Sequence, residues 1–291
     1  MSVELVLVGH VGFAEDHTPF GSEISLGGSG YVCARGATVA NPNQVGLVAA
    51  VGEDFDLSAL GRLGIDLQGI STMRGQSAKF SITQNPDGSR VWTGELGVAT
   101  VSNTATLPRT YFRADHFHLG TMPLKQQVEW LRKIRTVSSN ASVSVDMFET
   151  TASANPELAR SLCSLADLIF LNTVELGLLF DTYSLPTCPM IVKEGANGAY
   201  YFSDGRRSRQ IEAPQVDAID TTGAGELVAG VFLSLREASM PILDALHHSI
   251  MVASAKVTEF GVDGHNVDTA LQEVREAVGK FRHLAPPPQD Q

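Results

Sequence analysis

The sequence predicts an α/β fold built on a mainly parallel central sheet, and three observations carry that expectation. Residues Val3 to Val8 form a near-continuous apolar run ending in Gly9, the pattern of a parallel strand buried on both faces. From His116 onward, short apolar runs alternate with segments of helical length, the rhythm of βαβ units. With 291 residues and 43% hydrophobic content, the chain is long enough to bury the core such a sheet needs. Residues 1–282 are accordingly expected to form a single domain.

In chain order, the first run is followed by Gly12 to Leu26, a polar, turn-rich segment containing Thr18-Pro19-Phe20-Gly21. Gly27-Gly28-Ser29-Gly30 then opens a helix-length stretch from Tyr31 to Ala40, and a glycine pair there lets a ligand approach the backbone. Gln44 to Val51 reads as the next strand, with Gly52-Glu53-Asp54-Phe55 as the turn behind it. Gln76 to Gln84 and Arg90 to Leu96 are β-like runs joined by Asn85-Pro86-Asp87-Gly88-Ser89, whose glycine suits a positive φ, so they read as a hairpin. In the alternating half, His116 to Leu119, Ala141 to Asp146 and Asp167 to Leu171 are strands; Pro123 to Ile134 and Asn155 to Leu165 are helices. Met190 to Lys193, Ala199 to Phe202 and Ser208 to Ile211 are short strands around glycine turns. Helices return at Glu226 to Arg236 and Pro241 to Thr258. Pro241 suits a first helical position, and Leu243, Leu246, Ile250, Ala253 and Val257 recur on one face. An amphipathic helix, Val267 to Phe281, precedes residues 283–291, where Pro286-Pro287-Pro288 excludes helix and disorder is expected.

A net charge of −11 without a Lys/Arg cluster argues against nucleic acid or an anionic membrane as partner. Cys33, Cys163 and Cys188 are odd in number and widely spaced, so neither a disulfide framework nor a zinc ribbon is indicated. Met1-Ser2-Val3-Glu4 carries no basic leader, and no run approaches the ~18 apolar residues of a membrane span. The cytoplasm is the expected location.

Chemistry concentrates in Asp220-Thr221-Thr222-Gly223-Ala224-Gly225-Glu226, which runs into the apolar stretch Leu227 to Leu233. This reads as a loop feeding a helix N-terminus. Gly223, Ala224 and Gly225 are too small to shield their own amides, so the N–H groups of the first turn can face an anion. Glu226 follows, where the helix dipole favours negative charge. A base beside an anion hole suggests phosphoryl transfer to a hydroxyl; the plainer reading is a tight turn before a buried helix. Asn172-Thr173-Val174-Glu175 follows a strand, at the edge where open α/β sheets bind ligands. The same spacing describes an ordinary helix start with an Asn cap and a Glu three residues on. Lys193-Glu194-Gly195-Ala196-Asn197-Gly198 closes another strand, and a simple hairpin turn accounts for it equally. No Gly-x-x-x-x-Gly-Lys-Ser/Thr element occurs, which excludes a P-loop, and Gly27-Gly28-Ser29-Gly30 lacks the later glycine of a dinucleotide fingerprint. His116 and His118 share one face of a strand, for packing as readily as for metal, with no third ligand apparent.

Asp220 to Glu226 closely resembles the C-terminal signature of the ribokinase-like (PfkB) carbohydrate kinases, usually Asp-Thr-Thr-Gly-Ala-Gly-Asp. It departs in having Glu226 where that family has its catalytic Asp. The likeness runs from Val3 to about Phe281, with motifs in family order: the Thr-Pro-Phe-Gly and Gly-Gly elements, a Val-Gly-x-Asp-Phe piece ending at Phe55, Asn172/Glu175, Gly195/Gly198 and the signature. It implies a three-layer ribokinase-like sandwich with a small β-strand lid from residues about 12–26 and 76–96. It also implies transfer of the γ-phosphate of ATP to a hydroxyl of a sugar, polyol or nucleoside.

By that resemblance Glu226 would accept the hydroxyl proton, and the amides of Gly223, Ala224 and Gly225 would stabilise charge on the phosphoryl group. Asn172, Lys193, Gly195, Gly198 and Thr221 would lie along the nucleotide, and Glu175 would hold Mg²⁺ through water. Asp16, Gly27, Gly28 and Asp146 would face the small-molecule alcohol substrate; Ala14 stands where relatives have a substrate-binding Asp. Asp220 matches a position that in several members helps build a K⁺ site behind the anion hole. A homodimer through the lid is a further implication. Ala14 and Glu226 together also fit a second reading, a protein of this fold that binds ligands without turnover.

Overall fold

In the computed structural model, which describes residues 2–85, 90–101, 104–180 and 186–284, strand β1 (Leu5–Val8) is buried along its whole length. It lies inside a sheet whose order, by position in the chain, is β13-β12-β11-β10-β9-β8-β1-β4-β5. The members are β4 (Val45–Gly52), β5 (Asp66–Met73), β8 (His116–Leu119), β9 (Ser142–Asp146), β10 (Leu168–Asn172), β11 (Met190–Lys193), β12 (Ala199–Ser203) and β13 (Arg206–Arg207). Pairing is parallel from β5 across to β11; β12 and β13 close that edge antiparallel.

Helices cover both faces. Leu5 and Leu7 point into a core shared with α1 (Ser29–Ala37), α7 (Ala224–Glu237), α8 (Ile242–Lys256) and α9 (His265–Leu284). Val6 and Val8 point into a second core with α3 (Leu124–Val137), α5 (Pro156–Leu165) and α6 (Thr173–Leu179). The period-2 alternation of β1 thus feeds two apolar layers, which is why its sequence is continuously hydrophobic. The short helices α2 (Ser58–Gly61) and α4 (Glu149–Ala154) complete the set.

A second sheet has the order β3-β2-β6-β7, from β2 (Gly12–Thr18), β3 (Gly21–Gly27), β6 (Ala78–Gln84) and β7 (Arg90–Glu95). Both expected lid segments therefore meet in one sheet, β2 pairing parallel with β6 and each antiparallel with its hairpin mate. The Gly52-Glu53-Asp54-Phe55 turn anchors it: Asp54 Oδ1 accepts from Ser77 N and Ser77 Oγ, both at 2.8 Å. Of the expected tail at 283–291, His283 and Leu284 continue α9; residues 285–291, like 86–89 of the expected turn, lie outside the described residues.

The structure differs from the sequence expectation at several places. β5 was not anticipated, because it is an edge strand with mixed burial and presents no apolar run. α4 was also unanticipated. Ser208 to Ile211 is not a strand: Ser208 Oγ takes the Tyr201 amide at 3.0 Å that a ladder carbonyl would have taken, and only Ile211 pairs, as a single bridge to Ala199. Pro241 caps α8 from outside rather than opening it.

Candidate active site

Helix α7 begins at Ala224, with Gly223 as its N-cap in the left-handed region at φ 77°, where glycine carries no side-chain penalty. Leu227 N bonds back to Gly223 O at 2.9 Å; the amides before it belong to the open first turn, where a helix has no carbonyl of its own to offer. α7 is held by backbone-to-backbone packing on α1, since a Cβ on Gly230 would stand 2.0 Å from Cys33 O.

Asp146, Asn172 and Lys193 end the neighbouring strands β9, β10 and β11, and the parallel register brings them to one edge. Lys193 Nζ donates to Asp146 Oδ1 at 2.9 Å, and its side chain is 16% exposed. The same ammonium would lie 3.0 Å from a Cβ placed on Gly225, so it stands directly beside the first turn of α7. Burial works against the Lys193 ammonium, yet Asp146, Glu175 and Glu226 outweigh it and hold its pKa above the ordinary lysine value. Burial likewise raises the Asp146 carboxyl, with Lys193 opposing. Burial pushes Glu175 up to about 7, again against the pull of Lys193. Lys193 thus pairs directly with Asp146 and feels the charges of Glu175 and Glu226 beside the first turn of α7. Asp146 Oδ2 is buried without a hydrogen-bond partner.

Asn172 and Glu175 form a complete capping box on α6: Asn172 Oδ1 accepts from Glu175 N at 2.9 Å, and Glu175 Oε2 accepts from Asn172 N at 2.7 Å. The structural reading of this motif therefore holds, and it places Glu175, 4% exposed, within the electrostatic reach of Lys193 and Asp146.

The lid contributes from the other side. Asp16 on β2 is 2% exposed, and its Oδ1 is buried without a partner. Burial and the charge of Asp220 raise its pKa, opposed by a hydrogen bond with Thr222 and by Lys256. Gln84 on β6 donates to Asp220 Oδ1 at 3.0 Å and accepts from Thr221 Oγ1 at 3.2 Å. Aromatic rings continue the same surface: Phe80 lies 6.0 Å from Trp92, and Trp92 meets Phe148 edge-on at 5.4 Å across the gap between lid and main sheet.

A family model for pfkB family carbohydrate kinases matches residues 2–270. The chain belongs to that family. Among curated relatives, the cytidine kinase of Thermococcus kodakarensis is 22% identical over 277 residues, spanning 89% of this chain and 98% of its own. The ATP-dependent ribose-1-phosphate kinase of Halopiger xanaduensis is 27% identical over 234 residues, 76% of this chain and 77% of its own. The ribokinase of Cryptococcus neoformans in complex with ADP shares the fold, with a TM-score of 0.77 at 18% identity over 95% of this chain and 100% of its own.

Within this pfkB kinase the structure gathers Asp16, Asp146, Glu175, Lys193, Asp220, Thr221 and Glu226 around the turn at 223–225. Three of the expected site positions have their own surroundings. The Gly27-Gly28 pair admits the chain's own backbone: a Cβ on Gly28, at φ 91°, would stand 2.6 Å from His10 O, which accepts from Gly30 N at 2.8 Å. Gly195 and Gly198 lie in the turn joining β11 and β12, behind Lys193. The Asp220 carbonyl oxygen and its Oδ2 both accept from the Lys256 ammonium.

His116 and His118 both bond Ser144 Oγ, at 2.8 and 2.9 Å. Among the described residues no group of three His, Cys, Asp or Glu side chains is arranged to hold a metal. Sequence reasoning missed Gln84 and Lys256. The second carries a usable signal, as the only Lys, Arg, Asp or Glu between Asp244 and Glu259.

Proposed function

We propose that this pfkB kinase transfers the γ-phosphate of ATP to a hydroxyl of a small sugar, polyol or nucleoside, with Glu226 taking the hydroxyl proton. The observation that carries the reading is Lys193, paired with Asp146 and standing beside Gly225 in the first turn of α7. The residues present fit a magnesium nucleotide: a helix N-terminus and an ammonium for its phosphates, carboxylates for the hydrated metal, and a glycine where a side chain would fill the cradle. Bound there, ATP with Mg²⁺ supplies the phosphoryl group and neutralises part of its charge.

The chain's own residues do the rest. The amides of Gly223, Ala224 and Gly225 stabilise charge that develops on the phosphoryl oxygens, and Lys193 adds a positive charge to the same field. Glu175, fixed by its capping box, would hold Mg²⁺ through water. Glu226, in the same helical turn as the amides, takes the proton as the hydroxyl oxygen forms its new bond to the γ-phosphorus and the bond from that phosphorus to the bridging oxygen breaks, releasing ADP. Asp16 Oδ1 and Asp146 Oδ2 are buried acceptors without partners; hydroxyl donors from the substrate satisfy both. The rings of Trp92 and Phe148 give the apolar face of a sugar or base a surface to lie on.

The test is ADP release from MgATP across pentoses, hexoses, inositols and nucleosides. Acceptor-dependent release above the rate with water supports the reading. Nucleotide binding with no acceptor-dependent release from any class would favour the alternative, a ligand-binding protein without turnover.

A further inference from the structure

Lys256, the last residue of α8, is fully buried. A buried lysine is costly unless its charge is paired and its donors are used. Here the ammonium donates to the Asp220 carbonyl oxygen at 2.9 Å and to Asp220 Oδ2. Asp220 is itself fully buried and is the residue from which the phosphate-binding loop springs.

The surroundings make this pair more than a core ion pair. Asp220 Oδ1 takes Thr222 N at 2.8 Å and Gln84 Nε2 at 3.0 Å; Oδ2 takes Gly261 N at 3.2 Å as well as Lys256. Ile219 N and Asp220 N both bond Val257 O, at 2.7 and 3.2 Å. The side chain of Asp220 therefore sets the loop, the lid and the segment after α8 in one arrangement, and Lys256 supplies the positive charge that lets a buried carboxylate do so. Its position at the C-terminal end of α8 is where a helix dipole favours a cation. Without that charge, Asp220 and the neighbouring Asp16 would present two carboxylates at the rear of a loop that must receive an anion.

We propose that Lys256 is a covalently attached counter-ion of the phosphate-binding loop. It is a positioning residue that takes the place of a free monovalent cation between the carboxylate and carbonyl of Asp220, so that nucleotide binding is independent of K⁺. The proposal rests on the reading of residues 220–226 as a phosphate cradle.

The experiment is calorimetric binding of MgATP and MgADP by the full chain in KCl, NaCl, NH₄Cl and choline chloride at equal ionic strength, with a thermal melt in each salt. The wild type is expected to bind equally in all four. Lys256→Met is expected to lose affinity on the order of a hundredfold in choline chloride, the scale of a catalytic loop displaced by about 1 Å, and to regain part of it in KCl or NH₄Cl. Adding Asp220→Asn removes the carboxylate that attracts the ion, so the double variant keeps the defect and loses the rescue. A wild type that needs K⁺ would overturn the proposal whether or not any variant folds. A folded Lys256→Met that binds like wild type in choline chloride would overturn it too. If the wild type binds neither nucleotide in any salt, the phosphate-cradle reading fails and takes this proposal with it.

Discussion

Gln84 Nε2 donates to Asp220 Oδ1 at 3.0 Å, joining the lid to the first residue of the glycine signature. The same amide accepts from Thr221 Oγ1 at 3.2 Å, so one lid side chain reads both the carboxylate and the loop behind the cradle. β6, which ends at Gln84, pairs with β2, and β2 carries Asp16. The position of the small sheet is thereby tied to the conformation of the loop that begins at Asp220.

Replacing Gln84 with Ala tests that tie. A hydrogen bond to a charged group contributes about 1.5–3 kcal/mol, so kcat/KM for the acceptor should fall on the order of tenfold to a hundredfold. MgATP affinity should change much less, because Gln84 bonds Asp220, Thr221 and Thr222 while Lys193 stands beside Gly225. Equal losses for nucleotide and acceptor would show that Gln84 supports the loop rather than the lid.

Gly225→Ala separates binding from folding. Alanine stabilises a helix relative to glycine by up to about 1 kcal/mol, so the thermal midpoint should hold or rise. The new Cβ would stand 3.0 Å from Lys193 Nζ, so the ammonium has to give by a few tenths of an ångström and the methyl fills space beside the first-turn amides. MgATP affinity should drop by about tenfold or more, the value of a lost charge-assisted contact. Unchanged affinity would place Lys193 outside nucleotide binding.

The buried histidines give a pH signature of folding rather than of turnover. Burial lowers His118 to about 3, helped by His116 and Lys193, from an ordinary value near 6.5. A depressed folded-state pKa contributes stability that is present above about 6.5 and lost as pH falls toward 3, because only the unfolded chain takes up the proton in that window. The stability advantage of wild type over His118→Gln should therefore shrink as pH falls from 6.5 toward 4. Denaturant melts at a series of pH values measure it, and a gap that stays constant would contradict the buried neutral ring.

Much of this architecture was legible in the chain because its signals are local. The continuous apolar run of β1, the alternation after His116 and the small residues at 223–225 each carry their own physical reason. Asn172 and Glu175 announce a helix start by spacing alone, and the capping box forms. What could not be read is pairing across distance. Nothing near Lys193 names Asp146 as its partner, nothing near Gln84 points to Asp220, and β5 and Ser208 are decided by edge exposure and one hydroxyl. Lys256 was visible as an isolated charge on an apolar helix, but its meaning depends on the buried Asp220 it meets.

The central claim is that Glu226 takes the acceptor's proton from within the turn that supplies the anion-stabilising amides. Glu226→Asp withdraws the carboxylate by about 1 Å, a displacement that can cost on the order of a hundredfold in rate. Glu226→Gln keeps the shape but cannot accept a proton at neutral pH. Single-turnover phosphorylation of the best acceptor, with MgATP binding and thermal melts recorded alongside, should show Asp slowed and Gln slower still, both with nucleotide binding retained. Rates equal to wild type in both folded variants would contradict the account and leave the amides of Gly223, Ala224 and Gly225 as the only catalytic element of the turn.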